Sequence, residues 1–96
     1  MKVRVYARAE VVRLLRVDGA LLDALELERV VVRRRGGYRA EDVERLRVAA
    51  ELARLDVNAP GVAVALRMRE QWLSERRRLW AVIEALRARL LERETD

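Results

Sequence analysis

Three arginines, Arg33, Arg34 and Arg35, run into Gly36–Gly37 and are followed by Tyr38 and Arg39. Guanidinium groups clustered on a tight glycine turn suit one kind of chemistry, the clamping of phosphate oxygens by charge-assisted hydrogen bonds. A solvated basic edge that discourages strand pairing accounts for the same residues equally well. Opposite in sign are Asp23, Glu26 and Glu28, and then Glu41, Asp42, Glu44 and Glu51, two acidic groups suited to a basic protein surface. Both groups are also what ordinary solvated helix faces look like.

Catalysis has little to work with. The chain has no cysteine and no histidine, which removes disulfides, thiol and imidazole catalysis and the common zinc sites. Its hydroxyl side chains are Tyr6, Tyr38, Ser74 and Thr95, too scattered for a nucleophile beside an activating base. The expectation is a non-enzymatic protein without catalytic, cofactor-binding or metal residues. Lys+Arg 21 against Asp+Glu 16 gives a net charge of +5, compatible with nucleic acid, an acidic protein or simple solubility. Lys2 is the only lysine, a bias that suggests a GC-rich or thermophilic bacterial source. "MKVRVYARAEVV" lacks the apolar core of a signal peptide, and no apolar run approaches the ~20 residues of a membrane span. A cytoplasmic location is expected.

The elements that must position these charges follow from periodicity. Val11, Val12, Leu14 and Leu15 stand at helical spacing, and "RVDG" ends that helix. Asp18 caps a second helix with Leu21, Leu22 and Leu25 inward, so a tight turn joins two short helices as a helix-turn-helix. "RVVVRRRGGYR" reads as a two-stranded hairpin around the glycines. A third helix opens near Ala40 with Glu41 and Asp42 at its positive end, buries Val43, Leu46, Ala49 or Ala50, and Ala53, and stops near Leu55.

Asp56 or Asn58 caps the fourth helix, which tolerates Pro60 in its first turn and runs unbroken to Arg93, 34 residues and about 50 Å at ~1.5 Å per residue. Only "RETD" reads as a frayed tail. Ala65, Met68, Trp72, Leu79, Ile83, Leu86 and Leu90 form an apolar seam interrupted by Glu75. So small a chain cannot cover that seam itself, so Trp72, Leu79, Ile83, Leu86 and Leu90 are expected to hold a homodimer, the helix antiparallel to its mate. Packing is the ordinary role for Trp72 and Trp80, and an aromatic ligand box the lesser alternative. The organisation expected is mainly α: a winged helix-turn-helix with a short two-stranded wing and its third helix over residues 1–57, then a long dimerisation helix over residues 58–96.

Over roughly residues 3–70 this order, with "GGYRAEDVERLRVAAEL" after the wing, resembles the MerR-type transcription regulators. Within that superfamily "LDVNAPGVAVALRM" is more similar to the CbpM-type chaperone modulators, in which a Pro-Gly-hydrophobic-Ala-hydrophobic-Ala-Leu run opens the long helix; Pro60, Gly61, Val62, Ala63, Val64, Ala65 and Leu66 stand in register with it. The resemblance implies a homodimer that binds the J-domain of a DnaJ-like co-chaperone in a DnaK system. J-domains of such partners present a basic helix, so Asp23, Glu26, Glu28, Glu41, Asp42, Glu44 and Glu51 are the candidate contacts.

The alternative is a DNA-binding regulator gripping phosphates with Arg33, Arg34, Arg35 and Arg39. A groove-reading helix needs Arg, Lys, Asn or Gln donors. Between Arg16 and Arg29 there is no basic residue, while Asp18, Asp23, Glu26 and Glu28 are acidic, and the Arg- and Tyr-rich ending of MerR-type readers is missing. Nucleic-acid binding is therefore expected to be weak and nonspecific. A basic RNA- or ribosome-associated factor remains a third class, through Arg33–Arg35 and Arg76–Arg78.

Overall fold

The computed structural model describes residues 3–95 and is mainly helical. Its elements are β1 (Val5–Tyr6), α1 (Arg8–Leu15), α2 (Gly19–Leu27), β2 (Tyr38–Arg39), α3 (Ala40–Arg54) and α4 (Ala59–Thr95). Contacts group the chain into two compact units, Met1–Leu66 and Arg67–Asp96, so the first two turns of α4 belong to the first unit. The boundary falls inside the long helix, beyond the expected break between residues 57 and 58.

Helices α1, α2 and α3 are each stopped by a residue that sequence rules do not flag. Arg16, Arg29 and Asp56 adopt left-handed φ values of 55°, 59° and 65°. After each, an N–H reaches back five residues: Val17 to the Val12 carbonyl at 3.3 Å, Val30 to Leu25 at 2.9 Å, Val57 to Leu52 at 3.2 Å. These are Schellman-type closures that normally use glycine. Starts are better marked. The Leu21 N–H donates to Asp18 Oδ1 at 2.7 Å, and the Gly61 N–H donates to Asn58 Oδ1 at 2.9 Å. Of the two possible caps for α4, Asn58 is the one used, while Asp56 supplies the left-handed stop of α3.

The hairpin differs from expectation. Arg34 and Gly37 exchange both backbone hydrogen bonds, at 3.0 and 2.9 Å, around a turn in which Gly36 has φ 90°. The pairing ends there as a single bridge. β2 pairs instead with β1 at the N-terminus, antiparallel, with Val5 opposite Arg39 and Tyr6 opposite Tyr38. Val30 and Val31 explain the change, because both are buried although adjacent in sequence. Successive strand residues point to opposite faces, so two neighbours that both sink into one core cannot belong to a half-exposed strand.

That core gathers Val11, Leu22, Leu25, Val30, Val31, Tyr38, Leu46, Ala49, Val62 and Leu66. The inward positions expected for α1, α2 and α3 are thus filled by Val11, Leu22 and Leu25, Leu46 and Ala49, while Leu14 is exposed and Val43 and Ala53 are half-buried. Asp42 is the buried charged residue of the described chain, and its carboxylate accepts the Arg39 N–H at 3.0 Å at the start of α3. There it meets the positive end of the helix dipole.

α4 spans 37 residues, longer at both ends than expected. The "RETD" tail is therefore helical through Thr95, and Asp96 lies outside the described residues. From Arg67 to Glu94 every residue except Leu73 is exposed.

Candidate protein-interaction surfaces

The acidic group on α2 is tied into the fold. Arg8, from the first turn of α1, places Nη2 2.8 Å from Asp23 Oδ1 and 3.0 Å from the Gly19 carbonyl, and Nη1 3.8 Å from Glu26 Oε1. Arg33 Nε stands 3.8 Å from that same Glu26 oxygen. Tyr38, fully buried, donates its hydroxyl to Glu26. Glu26 therefore joins α1, α2, the turn and β2, and its side chain keeps only 20% of its exposure. Asp23 remains largely in solvent, and Glu28 is half-buried just past the end of α2. Nothing in the spacing of Arg8 marks it as the hub of this network.

Burial, and next the hydrogen bond to Glu26, push the Tyr38 hydroxyl up to about 12. The protonated form is thus favoured by folding, so its contribution is complete below the ordinary tyrosine value of ~10 and is lost as pH rises through about 12. We predict that Tyr38→Phe lowers stability by about 1–3 kcal/mol at neutral pH, because Glu26 loses its donor while half-buried. Urea melts should also show the wild type losing its advantage over the variant above pH 10; a constant difference up to pH 12 would remove Tyr38 as the titrating group.

On α3 the acidic residues divide. Asp42 is committed to the helix start, whereas Glu41 is exposed in the first turn. Glu44 and Glu51 both hold Arg47, at 2.6 and 2.8 Å, and these contacts raise the arginine's pKa. Such exposed pairs contribute little to stability and break readily for a better partner.

Arg34, Arg35 and Arg39 are exposed around the glycine turn, and Arg33 is the one drawn towards Glu26. On α4, Trp72, Leu79, Leu86 and Leu90 are all more than half exposed, with Ile83 at 36%. Arg76 lies over the Trp72 ring, 5.4 Å from its centroid. Among the described residues no group of three or more acidic, histidine or cysteine side chains is placed to hold a metal ion, and no helix is long and apolar enough to cross a membrane. Comparison with protein-family models, curated proteins and solved structures gives no match.

Proposed function

We propose that the chain is a non-enzymatic, dimeric adaptor with a MerR-like organisation that acts in the cytoplasm on the J-domain of a DnaJ-like co-chaperone. The observation that carries the adaptor reading is the apolar seam of α4, whose Trp72, Leu79, Leu86 and Leu90 stand in water in a single chain. Such a stripe on a charged helix is the surface of a protein–protein contact. The choice of a J-domain rests on the resemblance of Leu55–Met68 to the CbpM-type modulators. Glu41, Glu28 and the solvent side of Asp23, together with Glu44 and Glu51 once they exchange Arg47 for a new partner, are the carboxylates that meet a basic helix, while Asp42 and Glu26 serve the fold.

A second reading, the DNA-binding regulator, is favoured by one observation: Arg34, Arg35 and Arg39 are exposed on a turn fixed by glycine geometry. Arg8 and Arg33 also neutralise part of the α2 charge that would repel phosphates. Still, α2 offers no side-chain donor of the kind that reads bases in the major groove.

Charge reversal separates the two. Replacing Glu41, Glu44 and Glu51 by lysine should weaken a J-domain complex at least about tenfold, each close charge pair contributing ~1 kcal/mol or more. Replacing Arg33, Arg34 and Arg35 by glutamate should leave that complex intact and remove salt-sensitive DNA binding, whose log K falls by about 0.9 per phosphate contact against log salt. Nanomolar, sequence-selective binding to one palindromic duplex, lost in the arginine variant, would overturn the adaptor.

A further inference from the structure

The seam is not the only apolar line on α4. Leu73 and Trp80, seven residues apart, lie roughly 100–120° around the helix from Leu79 at ~3.6 residues per turn. Leu73 is half-buried and Trp80 is 53% exposed. A two-stranded pairing covers a narrow strip of each helix, so a mate seated on Leu79, Ile83 and Leu86 leaves the Trp80 line in water. The third sector of the helix carries Ser74, Ala81, Ala85 and Ala88, small residues suited to solvent.

Charge around the Trp80 line has one dominant sign. From Leu73 to Arg87 its borders carry Arg76, Arg77 and Arg87 against Glu84 alone, and Glu84 stands 3.7 Å from Arg87. Arg76 and Arg77 precede Trp80 by four and three residues, the spacings that put side chains next to each other on a helix. A surface cleft lined by Trp72, Glu75, Arg76, Leu79, Trp80 and Ile83 marks where the Trp80 line borders the seam.

We propose that Trp80, with Leu73, Arg76 and Arg77, forms a docking face for an acidic amphipathic helix of a partner protein, separate from the seam that pairs two copies. The inference rests on the adaptor reading in one respect, that a second copy occupies the seam. Apolar side chains of the incoming helix cover the Trp80 line, and its flanking carboxylates meet the arginines.

The test titrates full-length protein into a fluorescein-labelled synthetic helix of about 18 residues, leucine at every third or fourth position and glutamate elsewhere. A scrambled peptide of the same composition and a version with lysine in place of glutamate serve as controls, and sedimentation runs in parallel. The ordered glutamate peptide should bind at least about tenfold tighter than either control. Trp80→Ala should lose about tenfold while sedimenting as the wild type does, Leu79→Ala should keep peptide affinity, and Arg76→Glu with Arg77→Glu should abolish the preference for glutamate over lysine. Equal binding of ordered and scrambled peptides, indifference to Trp80→Ala, or a Trp80→Ala protein with weakened self-association would each overturn the docking face. A monomeric wild type would sink the dimer alone; if the peptide then answered to Leu79→Ala rather than Trp80→Ala, the docking face would fall with it.

Discussion

The Ile83→Glu, Leu86→Glu double variant should sediment as a monomer at concentrations where the wild type is a dimer. In a symmetric pair the two substitutions alter four side chains, each worth about 1.5–3 kcal/mol when buried. Losing even the lower total raises the dissociation constant by about four powers of ten at ~1.4 kcal/mol per tenfold. Four carboxylates entering the contact add a dehydration cost. Ile83→Leu keeps apolar volume and should leave the assembly intact. The first unit should still fold, since Ile83 and Leu86 lie outside it and outside its core. Circular dichroism would then show helix loss confined to the distal α4, where an unsupported helix is marginal. A wild type that stays monomeric at high micromolar concentration defeats the dimer, and a double variant that remains dimeric moves the contact elsewhere.

Gly37→Val should damage the Met1–Leu66 unit far more than Gly36→Val. Both glycines hold positive φ, 90° at Gly36 and 130° at Gly37, where a side chain costs about 1–2 kcal/mol. Their surroundings differ. A Cβ on Gly36 would make ordinary contact with Val5 Cγ1 at 3.6 Å, whereas one on Gly37 would run into the Tyr6 carbonyl across the β1–β2 pairing. Backbone cannot swing aside as a side-chain tip can, so the pairing itself must open. We expect about 1–2 kcal/mol for Gly36→Val and about 3 kcal/mol or more for Gly37→Val, the latter lowering the melting temperature by at least ~12 °C. Equal melting temperatures for the two variants would show that the turn is loose and that the Tyr6 contact does not constrain it. Self-association through the distal seam should be unaffected in both.

Much of this structure is legible in the chain because its signals are local. The cap at Asp18, the inward Leu22 and Leu25, the start of α3 at Ala40 and the unbroken α4 all follow from hydrogen-bonding side chains and a 3.6-residue period. So does the exposure of Trp72, Leu79, Leu86 and Leu90, since the short elements before α4 are too small to cover so long a helix. The glycine turn was equally readable, with positive φ at both Gly36 and Gly37.

Tertiary structure decided the rest. β-branched "VVV" has strand propensity, but burial of both Val30 and Val31 overrides it, and the partner of β2 comes from the far N-terminus, a pairing that local pattern does not encode. Left-handed stops at Arg16, Arg29 and Asp56 carry no glycine to announce them; packing of the next segment imposes them. Above all, the sequence placed Asp23, Glu26 and Asp42 among groups able to meet a partner, because charge is visible in a sequence and its neighbours are not. Folding brings Arg8 and Arg33 to the first two and Tyr38 to Glu26, and it turns Asp42 inward to the Arg39 N–H. A carboxylate's availability is set by what stands within a few ångströms of it, and for Arg8 and Asp23 those neighbours are fifteen positions apart along the chain.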